Sequence, residues 1–227
     1  MTNRSDDDPT SQAEAITGEY TASAKTLRKE RLRAVQQAAI LDAAETIFVR
    51  DGYHAAKMTD IADQAGFSTG SLYTYFNGKE EIFQTMIAER FGVLYEKLEA
   101  EMDRADTFGD LIARLTTIYA EFMDERRTFM RVIVAAYPVV VIGPNAHAQL
   151  GDVAMESYQR FIELIERVVA RGIAEEVLRD LPPREMASLF LGMMDAANAL
   201  WLQQDPPSSF TEKVPIVLDV LLNGVKR

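Results

Sequence analysis

Hydrophobic residues recur at helical spacing along most of the chain, and no region is rich in strand-like alternation. The first clear helix carries its apolar face on residues 40–48 and ends at Gly52, a residue that readily adopts a left-handed cap conformation. Two short helices are predicted next, over residues 57–65 and 69–76, with Gly66 between them. The pattern therefore predicts an all-α protein.

A fourth helix follows without a flexible linker. Asn77 and Glu80 are spaced as in a capping box, so this helix is predicted to begin there and to continue into the rest of the chain. Beyond it, Gly and Pro residues separate five further predicted helices. These span residues 107–124, 127–142, 145–172, 183–204 and 211–225.

The two short helices and the glycine turn between them have the arrangement that inserts a helix into the DNA major groove. Leu72 and Phe76 form the inward side of the third helix, and its outward positions carry hydroxyl groups and a Tyr but no Lys or Arg. Sequence specificity is therefore expected to depend partly on DNA shape and water. The candidate DNA-contacting residues here are Lys57, Thr59, Ser68, Thr69, Gly70, Ser71, Tyr73, Thr74, Tyr75 and Lys79.

Two of these assignments have a structural alternative. Tyr73 and Tyr75 are each interpreted either as a phosphate contact or as hydrophobic packing.

Lys79 lies in the first turn of the fourth helix, where free backbone N–H groups also favour a phosphate.

These residues resemble the N-terminal domain of the tetracycline-repressor (TetR) family of transcriptional regulators. The matching stretches run in order and without gaps: Ile40–Ala44, Phe48, Gly52-Tyr53, Asp60–Ala62, Ala65–Ser68, Gly70–Phe76 and Lys79-Glu80. The resemblance implies an all-helical homodimer whose first domain binds an inverted-repeat operator. It also implies a larger C-terminal domain that dimerises and binds a small molecule. Family members usually have Thr-Ser just before the second helix, where this chain has Ala56 and Lys57, so a capping hydroxyl is replaced by a cation.

Three segments are therefore expected. Residues 1–24 lack periodicity, contain five acidic residues and are predicted to be a disordered acidic tail. Residues 25–78 are predicted to form a three-helix helix-turn-helix DNA-binding domain with a basic N-terminal extension. Through helix four, this domain joins residues 79–227, a larger helical domain predicted to bind a ligand and to dimerise.

The net charge of −11 is unusual for a DNA-binding protein, but the charge is unevenly distributed. Residues 25–33 contain five basic residues and only one acidic residue, directly before the predicted DNA-binding helices. Local positive charge satisfies the electrostatic requirement for phosphate binding even when a remote domain is acidic. We expect Arg31 and Arg33 to contact DNA; the alternative is a solvated extension of helix one.

The predicted helix over residues 183–204 has apolar residues on nearly every face, and Asp195 is its only charged residue from Met186 onwards. A helix that is hydrophobic all round is buried on all sides, which predicts a second subunit on its outer face. A core helix of a monomer is the alternative. The predicted dimer interface consists of Met186, Phe190, Met194, Ala197, Leu200, Trp201, Val217 and Leu221.

The middle helices carry many aromatic and Met side chains, which are suited to an adaptable apolar cavity. Any one of them, taken singly, is better explained as ordinary core, and only the cluster as a whole indicates a cavity. Asp195 and Asn198 are one turn apart and need polar partners, for which a hydrogen bond across the dimer is preferred over a ligand. The candidate ligand-binding residues are Tyr119, Phe122, Met123, Phe129, Met130, Tyr137, Tyr158, Met193, Asn198 and Trp201.

The composition argues against an enzyme. The chain has no Cys, and its two His residues fall in different predicted domains. It has no Gly-rich phosphate loop, nucleophile elbow or two-histidine metal spacing, so no catalytic residue, metal or cofactor is expected. The polar N-terminus does not resemble a signal peptide, and residues 132–143 are too short an apolar run to span a bilayer. A cytoplasmic protein without a membrane partner is therefore expected.

Together these features predict a ligand-responsive transcriptional regulator, most simply a repressor. It is expected to bind a palindromic operator in double-stranded DNA as a homodimer and to be released by a small apolar or amphipathic effector. One alternative is a helix-turn-helix protein controlled by a protein partner. A second is an apolar-ligand carrier or helical enzyme in which the DNA-binding pattern is incidental.

Overall fold

The computed structural model of the protein describes residues 9–136, 146–205 and 208–225, with side chains from residue 25 onwards except at residues 146–154, 157, 221 and 225. Within these ranges the chain is helical and contains no β-strand, which confirms the predicted all-α class. The α-helices are α1 (Pro9–Asp51), α2 (Met58–Ala65), α3 (Thr69–Leu72), α4 (Lys79–Glu99), α5 (Phe108–Glu125), α6 (Arg127–Ala136), α7 (Ala146–Ala174), α8 (Pro183–Leu202) and α9 (Val214–Val225). A short 3-10 helix, Phe210–Glu212, precedes α9.

Helix α1 is much longer than the sequence pattern indicates. It begins at Pro9, so residues 9–24, for which the sequence shows no helical periodicity, are part of this helix in the structure. Proline is well tolerated in the first turn of a helix, and no second proline interrupts the chain before Asp51. Residues 25–35 have exposed side chains, so this part of α1 extends away from the core.

The N-terminal core forms where α1, α2, α3 and α4 meet around Phe48, Ile61 and Leu72, all fully buried. Two glycines make the sharp turns possible. Gly52 and Gly66 have φ angles of 79° and 74°, a region that side chains with a Cβ rarely adopt. The N–H of Gly66 donates to carbonyls at the end of α2, so the chain can turn directly into α3.

Helix α3 is shorter than predicted. It ends at Leu72, and residues 73–75 continue as consecutive turns that bring Phe76 back into the core. The N–H groups of Tyr75 and Phe76 both donate to the carbonyl of Leu72, which tightens this last segment.

Helix α4 connects the two halves of the molecule. At the start of this helix, the residue that bonds back to Asn77 is Glu81 and not Glu80. The Glu81 carboxylate accepts hydrogen bonds from the backbone N and Nδ2 of Asn77 at 2.6 and 2.9 Å. The predicted capping box is therefore displaced by one residue. Helix α4 packs on α1 at one end and on α5 and α7 at the other, without an intervening linker.

The C-terminal half contains α5 to α9, with α7 packed between α4 and α8. The helix bounds agree with the prediction to within about three residues where both ends are described. Helix α6 is described only as far as Ala136, so the predicted continuation to residue 142, including Tyr137, lies outside the described residues. None of the described helices is long and apolar enough to cross a membrane.

Candidate nucleic-acid interface and regulatory domain

The outward surface of α3 and its following turns exposes small polar groups. The Ser68 hydroxyl caps α3 by accepting from the backbone N of Ser71 at 3.1 Å, and the two hydroxyls are 2.8 Å apart. Gly70, Ser71, Tyr73 and Thr74 are exposed, with 52% of Tyr73 accessible. This exposed group, which we call the reader surface, contains no charged side chain and permits close approach to a groove.

Tyr75 points in a different direction from Tyr73. Its hydroxyl donates to Oε1 of Gln36 in α1 at 2.6 Å, and its ring packs edge-on against Phe67 with centroids 5.8 Å apart. Of the two interpretations of Tyr75, the geometry therefore supports packing. Gln36 fixes the reader to α1, and nothing in the sequence pattern distinguishes it from other polar residues of that helix.

The basic segment of α1 reaches the same edge of the molecule. The guanidinium of Arg33 lies 5.6 Å from the centre of the Tyr75 ring and donates from Nη2 to the carbonyl of Thr74 at 3.5 Å. Arg31 is exposed on the same helix. The structure thus brings Arg33 to the end of the reader surface.

The start of α2 offers free backbone donors. Lys57 occupies the N-cap position and is exposed. Its side chain does not accept a hydrogen bond from the first N–H groups of α2. Thr59 is exposed, but its hydroxyl donates to the Asp60 carboxylate at 3.3 Å and does not cap the helix. Helix N-termini with free donors attract anions, and here Lys57 adds a positive charge.

Lys79 is held within the protein. Its Nζ donates to the carbonyls of Tyr53, His54 and Ala56 at 2.7, 3.0 and 3.0 Å, and it lies 4.8 Å from the centre of the Tyr53 ring. An ammonium group has three donors, so all of them are used. A phosphate contact by Lys79, which stays a prediction, would have to replace one of these carbonyls.

An ionic network joins the two halves of the molecule. The carboxylate of Glu45 in α1 accepts from Nε of Arg90 in α4 at 2.9 Å and from Nη1 of Arg126 after α5 at 3.4 Å. Arg90 also pairs with Asp42. Beside this network, an open groove is lined by Glu45, Val49, Glu125, Arg126, Thr128 and Phe129. The network couples α1, to which the Tyr75–Gln36 hydrogen bond fixes the reader surface, to the start of α6.

Most candidate ligand-binding residues belong to the packed core. Trp201 is fully buried, donates from Nε1 to the carbonyl of Ser208 at 2.6 Å and packs edge-on against Phe210. Met193 and Tyr158 are only partly buried. The fully or nearly fully buried candidates are Phe122, Met123, Phe129, Met130, Asn198 and Trp201.

Of the two polar residues in the middle of α8, Asn198 has a hydrogen-bond partner inside the subunit. Nδ2 of Asn198 donates to the hydroxyl of Tyr119 in α5 at 2.7 Å, so this amide has one polar partner inside the subunit, and a further hydrogen bond across a dimer stays a prediction. Burial raises the pKa of the Asp195 carboxyl to about 7. Burial, and secondarily the charge of Asp195, also raises the pKa of Tyr158 to about 12.

The predicted dimer face requires correction. Met186, Met194, Trp201 and Val217 are buried in their own subunit, so their side chains are not available to a second copy. A helix that is apolar all round gives no sequence signal for which face points inwards. Phe190 and Ala197 are partly buried, and the side chain of Leu221 lies outside the described residues. The apolar side chains exposed on α8 and α9 are Leu189, Leu200, Ile216 and Val220.

The fold and these surfaces define a helix-turn-helix DNA-binding protein with a helical regulatory domain. Residues 40–86 match the family profile described as "Bacterial regulatory proteins, tetR family", and residues 119–225 match "Tetracyclin repressor-like, C-terminal domain". The chain belongs to the tetR family of bacterial regulatory proteins. It is a DNA-binding, ligand-responsive transcriptional regulator and not an enzyme.

Similar proteins include a fatty acid metabolism regulator and a transcriptional repressor. The fatty acid metabolism regulator protein of Bacillus subtilis is 22% identical, with 82% of this chain and 93% of the relative aligned. The transcriptional repressor KstR2 of Rhodococcus jostii is 28% identical over 82% of this chain and 89% of its own. The crystal structure of FadR from Bacillus subtilis in complex with stearoyl-CoA superposes with a TM-score of 0.70 at 22% identity, covering 83% of this chain and 98% of that one.

Proposed function

We propose that the protein is a repressor that binds a palindromic operator as a homodimer and is released by a small apolar or amphipathic effector. The observation that carries this proposal is the reader surface of Gly70, Ser71, Tyr73 and Thr74, exposed on a helix that is fixed to α1. No other described surface combines a protruding short helix with an adjacent basic segment.

Operator contacts are proposed at three places. The reader surface enters the major groove, where hydroxyl groups and Tyr73 contact base edges and thymine methyls. Lys57 and the N-terminus of α2 contact the phosphate backbone on one side. Arg31 and Arg33 contact phosphates beyond the other end of the reader surface. The first contact supplies sequence specificity, and the others supply salt-sensitive affinity.

Dimerisation is proposed to use the exposed apolar side chains of α8 and α9. Leu189 and Leu200 are 70% and 68% exposed, and Ile216 and Val220 continue the apolar surface on α9. Apolar side chains of this size gain stability when a second copy removes them from water. Two-fold symmetry then places the two readers about 34–36 Å apart, or at a multiple of that distance, which requires a palindromic site.

Effector release is proposed to act through α4. This helix contacts α7 in the regulatory domain and α1 in the DNA-binding domain, and Arg90 in α4 bonds to Glu45 in α1. A ligand that favours a different tilt of α4 therefore changes the spacing of the two readers. A coupling free energy of about 1–3 kcal/mol is enough for a useful switch.

An apolar or amphipathic effector is supported by the relatives, one of which has been crystallised with stearoyl-CoA. A direct test is to add stearoyl-CoA to the protein and to follow thermal unfolding and binding to selected operator DNA in parallel. An effector should raise the melting temperature and weaken operator binding at the same concentrations. If a panel of acyl-CoA and sterol compounds changes neither quantity, control by a protein partner becomes the better proposal.

A further inference from the structure

Four polar side chains meet in the apolar interior of the regulatory domain: Tyr119 of α5, Tyr158 of α7, and Asp195 and Asn198 of α8. Asp195 and Asn198 are one helical turn apart and lie on the same side of α8. Nδ2 of Asn198 donates to the hydroxyl of Tyr119 at 2.7 Å, and burial, together with a smaller effect of the Asp195 charge, raises the pKa of both tyrosines. We call these four residues the α8 polar cluster.

The α8 polar cluster has unused hydrogen-bonding capacity. Asn198 is only 7% exposed, and although its Nδ2 donates to Tyr119, its Oδ1 has no partner among the residues that the structure describes. Buried amide oxygens are almost always paired, because an unpaired one loses its hydrogen bond to water. This oxygen therefore indicates a missing donor at the cluster.

Asp195 presents a second unmatched acceptor. Within the described part of the chain, no Lys or Arg pairs with its carboxylate, and no hydrogen bond to it is formed. Tyr119, Tyr158, Asp195 and the neighbouring Met193 all remain partly accessible, although α5, α7 and α8 pack around them. Two acceptors without donors among the described residues thus lie on the same side of α8.

We propose that the α8 polar cluster binds the polar end of the effector, and that this end donates hydrogen bonds to Asp195 and Asn198. A hydroxyl group or a protonated amine has this chemistry. A carboxylate does not, because it has no hydrogen to donate and is repelled by the Asp195 charge. This inference rests on the proposed function, in which the regulatory domain binds an apolar or amphipathic effector, and it specifies the group at one end of that molecule.

The test compares three probes with the same alkyl chain: decanol, decylamine and decanoate. Calorimetric titration of the full-length protein at pH 8, with each probe below its micellar concentration, measures direct binding without DNA. We expect decanol or decylamine to bind at least about tenfold more tightly than decanoate. Tighter binding of decylamine identifies an ammonium as the preferred donor, and tighter binding of decanol identifies a hydroxyl.

A pair of matched variants assigns the discrimination to the cluster. Asp195→Asn removes the charge and should bring decanoate to within about threefold of decanol. Asp103→Asn makes the same chemical change at an exposed turn and should leave the ratio as in the original protein. Melting temperatures measured in parallel show that both variants are folded.

Three outcomes overturn the inference: equal binding of decanoate and decanol, no binding of any probe, or discrimination that survives in Asp195→Asn. None of these outcomes touches the proposed function, because operator binding and its release by stearoyl-CoA or a sterol are measured separately. Conversely, a protein that discriminates among the probes but never leaves its operator would keep this site and lose the proposed repressor mechanism.

Discussion

At the scale of single residues, two neighbouring tyrosines have different structural roles. Tyr73 is exposed on the reader surface, whereas Tyr75 donates to Gln36 and packs against Phe67. Sequence alone leaves both alternatives open for each, since a tyrosine has an apolar ring for packing and a hydroxyl for phosphate. The choice depends on the orientation of a tight turn after Leu72, which no periodicity encodes.

The two tyrosines are predicted to separate DNA affinity from stability. Tyr73→Ala should weaken operator binding about tenfold or more and leave the melting temperature unchanged, because its side chain has no packing role. Tyr75→Phe keeps the ring but loses the hydrogen bond to Gln36, and should lower the free energy of unfolding by about 0.5–1.5 kcal/mol. Fluorescence anisotropy with operator DNA and urea denaturation check the two effects. Equal loss of stability in both variants would contradict this assignment.

Because Asp195 is a buried acid, the free energy of unfolding is predicted to depend on pH. Burial raises the pKa of its carboxyl from 3.8 to about 7, so the unfolded state loses this proton at lower pH than the native state. Between these two values the native state therefore loses stability as the pH rises, and the loss is complete above about pH 7. Asp195→Asn removes this effect and should stabilise the protein by about 2–4 kcal/mol at pH 8.

Urea denaturation at pH 4.5 and pH 8, at equal protein concentration, measures this difference. At pH 4.5 the advantage of Asp195→Asn should shrink to about 1 kcal/mol or less, since the native carboxyl is then protonated in the original protein. Asp103→Asn is the control and should show no such pH dependence. An advantage of Asp195→Asn that is the same at both pH values would refute the buried-acid interpretation.

At the scale of helices, the sequence predicts elements well where caps and turns are explicit, and poorly where a helix has no polar face. Gly52, Gly66 and the prolines before α8 mark boundaries that the structure confirms to within a few residues. The sequence predicts the bounds of α8 to within two residues, but it does not indicate that Trp201 is fully buried inside the subunit. An amphipathic pattern identifies the inward side of a helix, and α8 lacks that pattern.

The hydrogen bonds between Tyr75 and Gln36 and between Asn198 and Tyr119 join segments that are distant in the sequence, so local spacing does not reveal them.

Close packing between helices gives a prediction at Gly172 of α7. A Cβ at this position would lie 2.7 Å from side-chain atoms of Leu178 and Phe108, whereas a Cβ at Gly92 of α4 has nothing within 4 Å. Gly172→Ala should therefore destabilise the protein by about 1–3 kcal/mol. Gly92→Ala should stabilise it by about 0.5–1 kcal/mol, because alanine favours a helix interior. Thermal unfolding that moves in the same direction for both variants would contradict the packing at Gly172.

At the scale of the whole molecule, a chain of contacts connects the reader surface to the regulatory domain. Helix α4 packs on α1 and α7, and Glu45 links it through Arg90 and Arg126 to the start of α6. A change in the regulatory domain therefore has a direct mechanical route to the DNA-binding helices. For this route to act on an operator, two subunits must hold their readers at a fixed spacing.

The dimer proposal predicts the effect of charges on the exposed face of α8. Leu189→Asp combined with Leu200→Asp should produce monomers, because a desolvated carboxylate in an apolar interface is unfavourable. Both side chains are largely exposed in the subunit, so its fold should be retained. Val93→Asp, at an exposed apolar position of α4, is the control and should remain dimeric. Sedimentation measurements at several protein concentrations check this, and a dimer that persists in the double variant would place the interface elsewhere.

The most direct test of the account is selection of genomic DNA fragments by the purified protein, at fixed salt and with random competitor DNA. The protein should recover one palindromic motif, and the Ser71→Ala/Tyr73→Ala variant should lose that motif while retaining salt-sensitive binding through Lys57, Arg31 and Arg33. Recovery of the same motif by the variant would show that the reader surface does not carry specificity. If the original protein shows only sequence-independent binding, it is not an operator-specific repressor.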